Sequence, residues 1–175
     1  PISGDFSAKD IARRQPIKLA AAESLFETRT HAPLLIGGVP NEEERRVDYK
    51  IEIPGMLSLL AGGDFNAEIK GLNDFPRDEW PPVAVVHDAF QLMVAIGMFL
   101  AAVSLFFILC YFFRREWIFH PRFLTTVAWC TPLGFIAIEA GWTVTEGGRQ
   151  PWIIYGIMRT KDAVTPMPGL IVPFL

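Results

Sequence analysis

The sequence predicts an all-α membrane protein: a transmembrane helix hairpin drawn from a helical bundle, preceded by a mixed outer segment of helix, short strands and loop. Three observations predict it. Residues 89–113, AFQLMVAIGMFLAAVSLFFILCYFF, run for 25 positions without a charge, against about 20 needed to cross a bilayer. Residues 123–145, FLTTVAWCTPLGFIAIEAGWTVT, form a second run of 23 with one charge, Glu139. Residues 1–80, by contrast, hold 10 Lys/Arg and 14 Asp/Glu, so the polar residues are concentrated ahead of the apolar runs. A buried hairpin in a soluble protein is the competing reading, and two runs of this length disfavour it.

The elements follow in order. Residues 1–82 make the outer segment. Ser7 followed three residues later by Asp10 resembles a helix start, and a helix through Phe26 is expected. Pro16 either kinks that helix or marks its true start. Leu19, Ala22 and Phe26 share one face. APLLIGGVP reads as a short strand closing on Gly37, Gly38 and Pro40, and NEEERR as an exposed turn. RVDYKIEIPG alternates, with Val47, Tyr49, Ile51 and Ile53 on one side and Asp48, Lys50 and Glu52 on the other, the pattern of a half-buried strand. Residues 55–82 are loop with short helical possibilities. A first span at 83–113, a link at 114–122 and a second span at 123–147 follow. Residues 148–166 form a second outer loop, and 167–175 read as the opening of a third apolar segment. The chain starts PISGDF, without an initiator Met or a signal-peptide pattern, and reads as part of a longer protein.

The link, RREWIFHPR, sets Arg114, Arg115 and Arg122 against Glu116. The positive-inside rule makes it cytoplasmic and puts both polar segments outside, which in a bacterial inner membrane is the periplasm. Trp142, Trp152 and Trp80 then fit an interfacial belt. A net charge of −3 with no basic run gives nucleic acid no purchase. Cys110 and Cys130 fall inside the spans and read as packing residues, with no CxxC or HxxxH spacing to suggest a metal site.

The chemistry-bearing residues gather where the second span ends, in IEAGWTVTEGGRQPW. Glu139, Trp142 and Glu146 lie at i, i+3 and i+7 on one face, with Arg149 and Gln150 just beyond. An ionisable group within a span faces a bundle interior, a cavity or a cofactor, because isolation in hydrocarbon costs about 2.5–3.5 kcal/mol or more. A structural hydrogen bond to a neighbouring helix is the plainer role for Glu139, and a solvated interfacial position the plainer one for Glu146. An arginine fork such as Arg149 suits a carboxylate, on Glu146 or on a cofactor edge. In the first span Met93 offers a thioether, a known haem ligand, although a lone methionine in an apolar helix is commonly packing. Two adjacent antiparallel spans would bring Gln91 and Met93 on one helix and Glu139 to Glu146 on the other to similar depth. His87, at the mouth of the first span, reads as interfacial or surface; His31 and His120 read as solvated. Lys18 and Glu23 sit five apart, about 140° around a helix, and flank a patch. An opposed cation and carboxylate can bind a small polar headgroup and move its protons; solvated surface charges are the plain alternative.

Several of these motifs coincide. GRQPW after IEAGW, a preceding span opening DAFQLMVA, and an outer segment containing QPIKLAAAESLFET together resemble subunit I of cytochrome bd-type quinol oxidases. The likeness is to the branch with a short quinol loop, often called cyanide-insensitive, and it covers essentially the whole chain. The resemblance implies a C-terminal part of the catalytic subunit of a membrane-bound, electrogenic quinol:O2 oxidoreductase of the ubiquinol oxidase type, in a bacterial inner membrane, with residues 1–82 as the periplasmic quinol loop. It implies that Lys18 and Glu23 bind and oxidise quinol. Met93 matches the ligand of a low-spin b-type haem, and Glu146 that of a high-spin b-type haem (heme b). Arg149 lies beside the haems; Glu139, Trp142 and Gln150 join the cofactor-facing cluster. A d-type haem (heme d) at the O2 site stays open, its ligand lying upstream. The implied partners are the N-terminal part of the same subunit, oxidase subunit II, membrane lipid, quinol and O2. Many relatives carry an arginine where this chain has Gln91, which puts charge compensation of the low-spin haem there in question. A non-enzymatic membrane anchor with an outer binding domain, or a transporter fragment with Glu139 on an ion path, are the rival readings.

Overall fold

A computed structural model of the chain describes residues 2–163; the expected third apolar segment at 167–175 lies outside the described residues. Two helices, α1 (Ile2–Arg14) and α2 (Pro16–Ala22), open the outer segment. Pro16 marks the start of α2, standing at its first position, where its missing N–H costs nothing. Gln15 before it is pushed out of the helical region, at φ −137° and ψ 61°. Ser7 is no N-cap, because α1 already runs from Ile2. The second helix also stops short of Phe26: Glu23 is its C-cap and Ser24 is left-handed at φ 49°.

Four short strands follow: β1 (Leu34–Ile36), β2 (Val39–Asn41), β3 (Arg46–Asp48) and β4 (Ile51–Ile53). β2 pairs with β3 and β1 with β4, both antiparallel, so the four nest as one long hairpin interrupted midway. The interruption corrects the expectation of a single strand across 46–53. Tyr49 adopts φ 56° and Gly37 and Gly38, opposite, adopt φ 68° and 103°. Alternation fails at that bend: Val47 is buried, but Tyr49 is 93% exposed and Ile51 is exposed too. Gly38 is obligatory here, since a Cβ would stand 2.4 Å from the Val47 side chain. Residues 55–82 hold a single π-helical turn at Ser58–Gly62 and 3-10 turns at Leu72–Asp74 and Arg77–Glu79. Ser58 anchors them, accepting from Ala32 N–H and donating to the Ala67 carbonyl, both at 2.8 Å.

The hairpin consists of α3 (Val83–Phe113) and α4 (Pro121–Gly147), joined by a 3-10 turn at Arg115–Phe119. Both are long and apolar enough to cross a membrane, with mean hydropathies of 2.7 and 1.4. At 1.5 Å per residue α3 is about 46 Å long, more than the roughly 30 Å of a bilayer core. The excess is used at its start, where Val83, Val86 and His87 are fully buried beneath the outer segment. The main core lies there, formed by Ile17, Ala20, Ala21 and Ala22 of α2, Leu35 of β1, Val83 and Val86 of α3 and Val144 of α4. The alanine run lets α2 pack closely on α3. Past that junction the hairpin's outward faces are bare. After α4 the chain forms a small antiparallel hairpin of β5 (Trp152–Ile154) and β6 (Met158–Arg159). Arg159 ties it to the outer segment through Asp78 at 3.0 Å and Glu79 at 3.4 Å. The outer segment and the loop after α4 therefore sit at the same end of the hairpin.

Candidate functional site

A cavity of about 610 Å³ lies between the outer segment and the flank of α3. Its walls are the apolar side chains of Leu19, Leu34, Ile53, Leu57, Phe90, Val94 and Met98, among others, and its charged lining residues are Lys18 and Glu23. The pair thus lines one cavity. Lys18 is 8% exposed and Glu23 2%, which overturns the plain alternative of solvated charges.

Each is held differently. Lys18 Nζ donates to the Thr145 carbonyl of α4 at 3.2 Å, one of the terminal carbonyls that an α-helix leaves without an internal partner. Burial lowers its pKa below the usual lysine range; the positive charge of Arg149 adds to this, and the Glu146 carboxylate opposes it. Glu23 stands where α2 ends. Burial pushes its carboxyl up to about 7, against the pull of the Leu35 backbone N–H, which favours the charged form. Its Oε2 has no hydrogen-bond partner among the described residues. A buried carboxyl with a free oxygen aimed from a cavity wall and a pKa near neutrality is suited to taking up and releasing protons.

Lys18 also explains the glycine of GRQPW. A Cβ on Gly148 would lie 3.0 Å from Lys18 Cγ and 2.6 Å from the Val144 carbonyl. The lysine stem passes over that glycine, so α2 and the end of α4 meet there. Past it, Arg149 forms an ion pair with Glu146, and its Nε is buried without a hydrogen-bond partner among the described residues. Gln150 Oε1 accepts from Thr160 Oγ1 at 2.8 Å, so its oxygen is committed within the loop. Trp152 stacks beneath Arg159, 4.9 Å from its ring centroid, and against Tyr155. Trp80 packs on Phe26 and donates to the Phe75 carbonyl at 3.1 Å. Both tryptophans are half-buried and pack within the layer around the start of α3 and the end of α4, whereas Trp142 is open, at 64% exposure.

The structure separates two groups that the sequence placed together. The Met93 sulfur lies against α4 at Gly141, where a Cβ would stand only 3.0 Å away. Glu139, Trp142 and Glu146 share the opposite, open side of α4. From Gly141 to Glu146 is about 140° around the helix and about 7.5 Å along it. The sulfur and the carboxylate therefore share neither a cavity nor a depth, and groups bound by each would be distinct. Among the described residues no cluster of three His, Cys, Asp or Glu side chains could hold a bare metal ion.

Two residues escaped sequence reasoning. His87, expected at the surface, is fully buried, with Nδ1 at 2.9 Å from the Ala22 carbonyl. Its signal was the apolar run VAVV just before it, which places the helix start in a core. Gln91 bonds the strand hairpin to α3, with Nε2 donating to the Leu35 carbonyl at 3.0 Å and Oε1 accepting from Gly37 N–H at 3.1 Å. No local pattern announces that role. His120 caps α4, accepting from Arg122 N–H at 3.3 Å, and is exposed, as is His31.

The chain matches the family described as cytochrome bd terminal oxidase subunit I over residues 1–174. It is 43% identical over 174 residues to the putative cytochrome bd menaquinol oxidase subunit I of Bacillus subtilis (strain 168), covering 99% of this chain and 39% of that protein. It is 30% identical to the cytochrome bd ubiquinol oxidase subunit 1 of the same organism, over 94% of this chain and 37% of the relative. With the cytochrome bd-II ubiquinol oxidase subunit 1 of Escherichia coli (strain K12) the identity is 28%, over 91% of this chain and 44% of the relative. The solved bd oxidase of Geobacillus thermodenitrificans superposes with a TM-score of 0.86 at 43% identity, over 99% of this chain and 39% of that one. The chain thus spans about two fifths of the length of these relatives. On this match, the cavity, the buried Lys18 and Glu23 and the GRQPW end of α4 are features of a chain that belongs to the cytochrome bd terminal oxidase subunit I family.

Proposed function

We propose that the chain is part of the catalytic subunit of a quinol:O2 oxidoreductase in the bacterial inner membrane, and that quinol is oxidised in the Lys18–Glu23 cavity on the periplasmic side. The observation that carries this reading is the pairing of an apolar enclosure, suited to a quinol ring, with two buried groups of opposite charge type and shifted proton affinity. An anchor that used Lys18 and Glu23 as surface charges would not bury them. The arginines of the 114–122 link support the orientation.

Oxidation of one quinol to quinone releases two protons and two electrons, and two quinols reduce one O2 to two waters. Glu23 accepts a substrate proton on its free Oε2. Lys18, held by the Thr145 carbonyl, keeps further N–H groups for a substrate oxygen. Protons released outside and taken up from inside would generate a proton motive force without pumping. Haem is implied by the family, and the residues present fit it: a thioether on α3, a carboxylate on the open face of α4 and a buried, unpartnered guanidinium N–H beside it. Met93 would hold a low-spin b-type haem and Glu146 a high-spin haem, with Arg149, Glu139, Trp142 and Gln150 around them. When bound, these groups supply the one-electron chemistry that no side chain here offers. The flank of α3 that walls the cavity carries Phe90, Gln91 and Val94, which bracket Met93, so substrate and sulfur sit on one helix at one level.

Relatives named for menaquinol and for ubiquinol both match, and the substrate class proposed is quinol. The test is Glu23→Gln in the full-length oxidase: quinol oxidation should fall while the dithionite-reduced haem bands remain. Wild-type turnover with either ubiquinol or menaquinol would overturn the assignment.

A further inference from the structure

We propose that Gln91 is a positioning residue for quinol oxidation: its carboxamide fixes strand β1 as the cavity wall whose backbone presents a hydrogen-bond donor to Glu23. The proposal rests on the reading of the Lys18–Glu23 cavity as the quinol site.

β1 is bonded to β4 along one edge only. In an antiparallel ladder alternate residues turn N–H and C=O away from the partner strand, and Leu35 is such a residue. Its N–H serves Glu23 and its C=O accepts from Gln91 Nε2 at 3.0 Å. Gln91 Oε1 takes the N–H of Gly37 at 3.1 Å, at the left-handed turn directly after the strand. Donor meets carbonyl and acceptor meets N–H, so the amide uses both ends on the free edge of β1. One side chain of α3, two positions from Met93, therefore sets where the Glu23 donor stands, and it lines the same cavity.

Without these bonds the free edge of β1 has no anchor on α3 and the Leu35 N–H drifts from Glu23. Losing a donor to the carboxylate favours the protonated form. The limb of the quinol-oxidation rate that rises as Glu23 deprotonates would then move to higher pH. Other ionisable groups on the surrounding elements include Lys18 on α2, His87 and Asp88 on α3, Glu146 and Arg149 at the end of α4, the Lys50–Glu52 pair on and beside β4, and Arg13 and the Asp10–Arg14 pair on α1.

The test compares Gln91→Leu, Gln91→Glu and Glu23→Gln in the full-length oxidase complex in membranes, assayed with a short-chain quinol. Gln91→Leu should raise KM by about tenfold, the lower end of what loss of a supporting partner costs, and move the rate limb to higher pH with reduced haem bands unchanged. Gln91→Glu keeps an acceptor for Gly37 but loses the donor and adds an anion beside Glu23, so its limb should move further. Wild-type KM and pH profile in both, with or without a changed midpoint potential of the low-spin haem, overturn the proposal. If Glu23→Gln itself turns over at the wild-type rate, the quinol-site reading fails; if Glu23→Gln is slow while both Gln91 variants behave as wild type, only the role of Gln91 fails.

Discussion

The outer segment and the helix hairpin treat polar groups in opposite ways. In the outer segment Lys18, Glu23, Ser58 and Gln91 at its border are enclosed by walls that this chain builds itself: α2, the nested strands, the π-helical turn and the outer third of α3. In the hairpin, Met93 and Glu146 stand on two sides of a pair of helices whose outward faces carry Met98, Phe99, Phe135, Ile138 and Trp142 in the open. The difference sorts the roles proposed for these residues: those in the first lie close enough together to act on one substrate, whereas Met93 and Glu146 lie on separate sides of the hairpin and would each serve a separate group.

The contrast can be broken most forcefully at Met93. In the full-length oxidase Met93→Leu should abolish the low-spin b-type α-band of the dithionite-reduced protein and cut turnover by more than the roughly 10–100-fold that an outer-shell change costs. An unchanged spectrum would make Met93 a packing residue against Gly141. Next comes Glu23→Gln, which should slow quinol oxidation by roughly 100-fold, the lower end for loss of a general base, with the spectrum intact.

The same carboxyl carries a stability signature. Glu23 keeps its proton to about pH 7 in the folded state and to about 4.5, its ordinary value, when unfolded. Folding takes up a proton in between, so stability falls as the pH rises from 4.5 through 7, by about 3 kcal/mol in all. Glu23→Gln should remove that slope. Thermal unfolding of both proteins at pH 5.5 and 8 checks it; parallel losses on going to pH 8 would mean that Glu23 is not buried as described.

A methyl at Gly148 gives a smaller, sharper probe of where the two regions touch. Gly148→Ala must displace the Lys18 stem and crowd the Val144 carbonyl, an overpacking cost of about 1–3 kcal/mol. It should weaken quinol oxidation without altering haem content, as read from Tm, KM and the reduced spectrum together. Smallest of all is Arg159→Ala. It removes an ion pair whose Asp78 partner is exposed, worth at most about 1 kcal/mol, and urea unfolding should barely register it.

Much of the hairpin was legible because its signal is one-dimensional. A run of 25 uncharged residues and a second with one charge set both spans, and α3 and α4 end within a few residues of the expected limits. Pro16, too, marks a helix start that its own chemistry dictates. The roles proposed for the site residues rest on motif resemblance, because nothing local in the sequence shows that Lys18 and Glu23 are buried. What escaped depends on tertiary pairing. Residues 46–53 alternate like one strand, yet the backbone turns left-handed at Tyr49 because each half pairs with a different partner across Gly37 and Gly38. His87 looks interfacial until α2 is laid over it. Gln91 looks like a missing arginine until β1 is seen to need an anchor. Met93 and Glu146 read as neighbours at one depth until the rotation of α4 is fixed by Gly141.

The most direct test of the proposed division between a quinol site at Lys18 and Glu23 and haem ligands on the hairpin is rapid mixing of quinol with the full-length Glu23→Gln oxidase. The account predicts a haem spectrum that dithionite develops fully and quinol develops slowly. Haem reduction by quinol at the wild-type rate would contradict it.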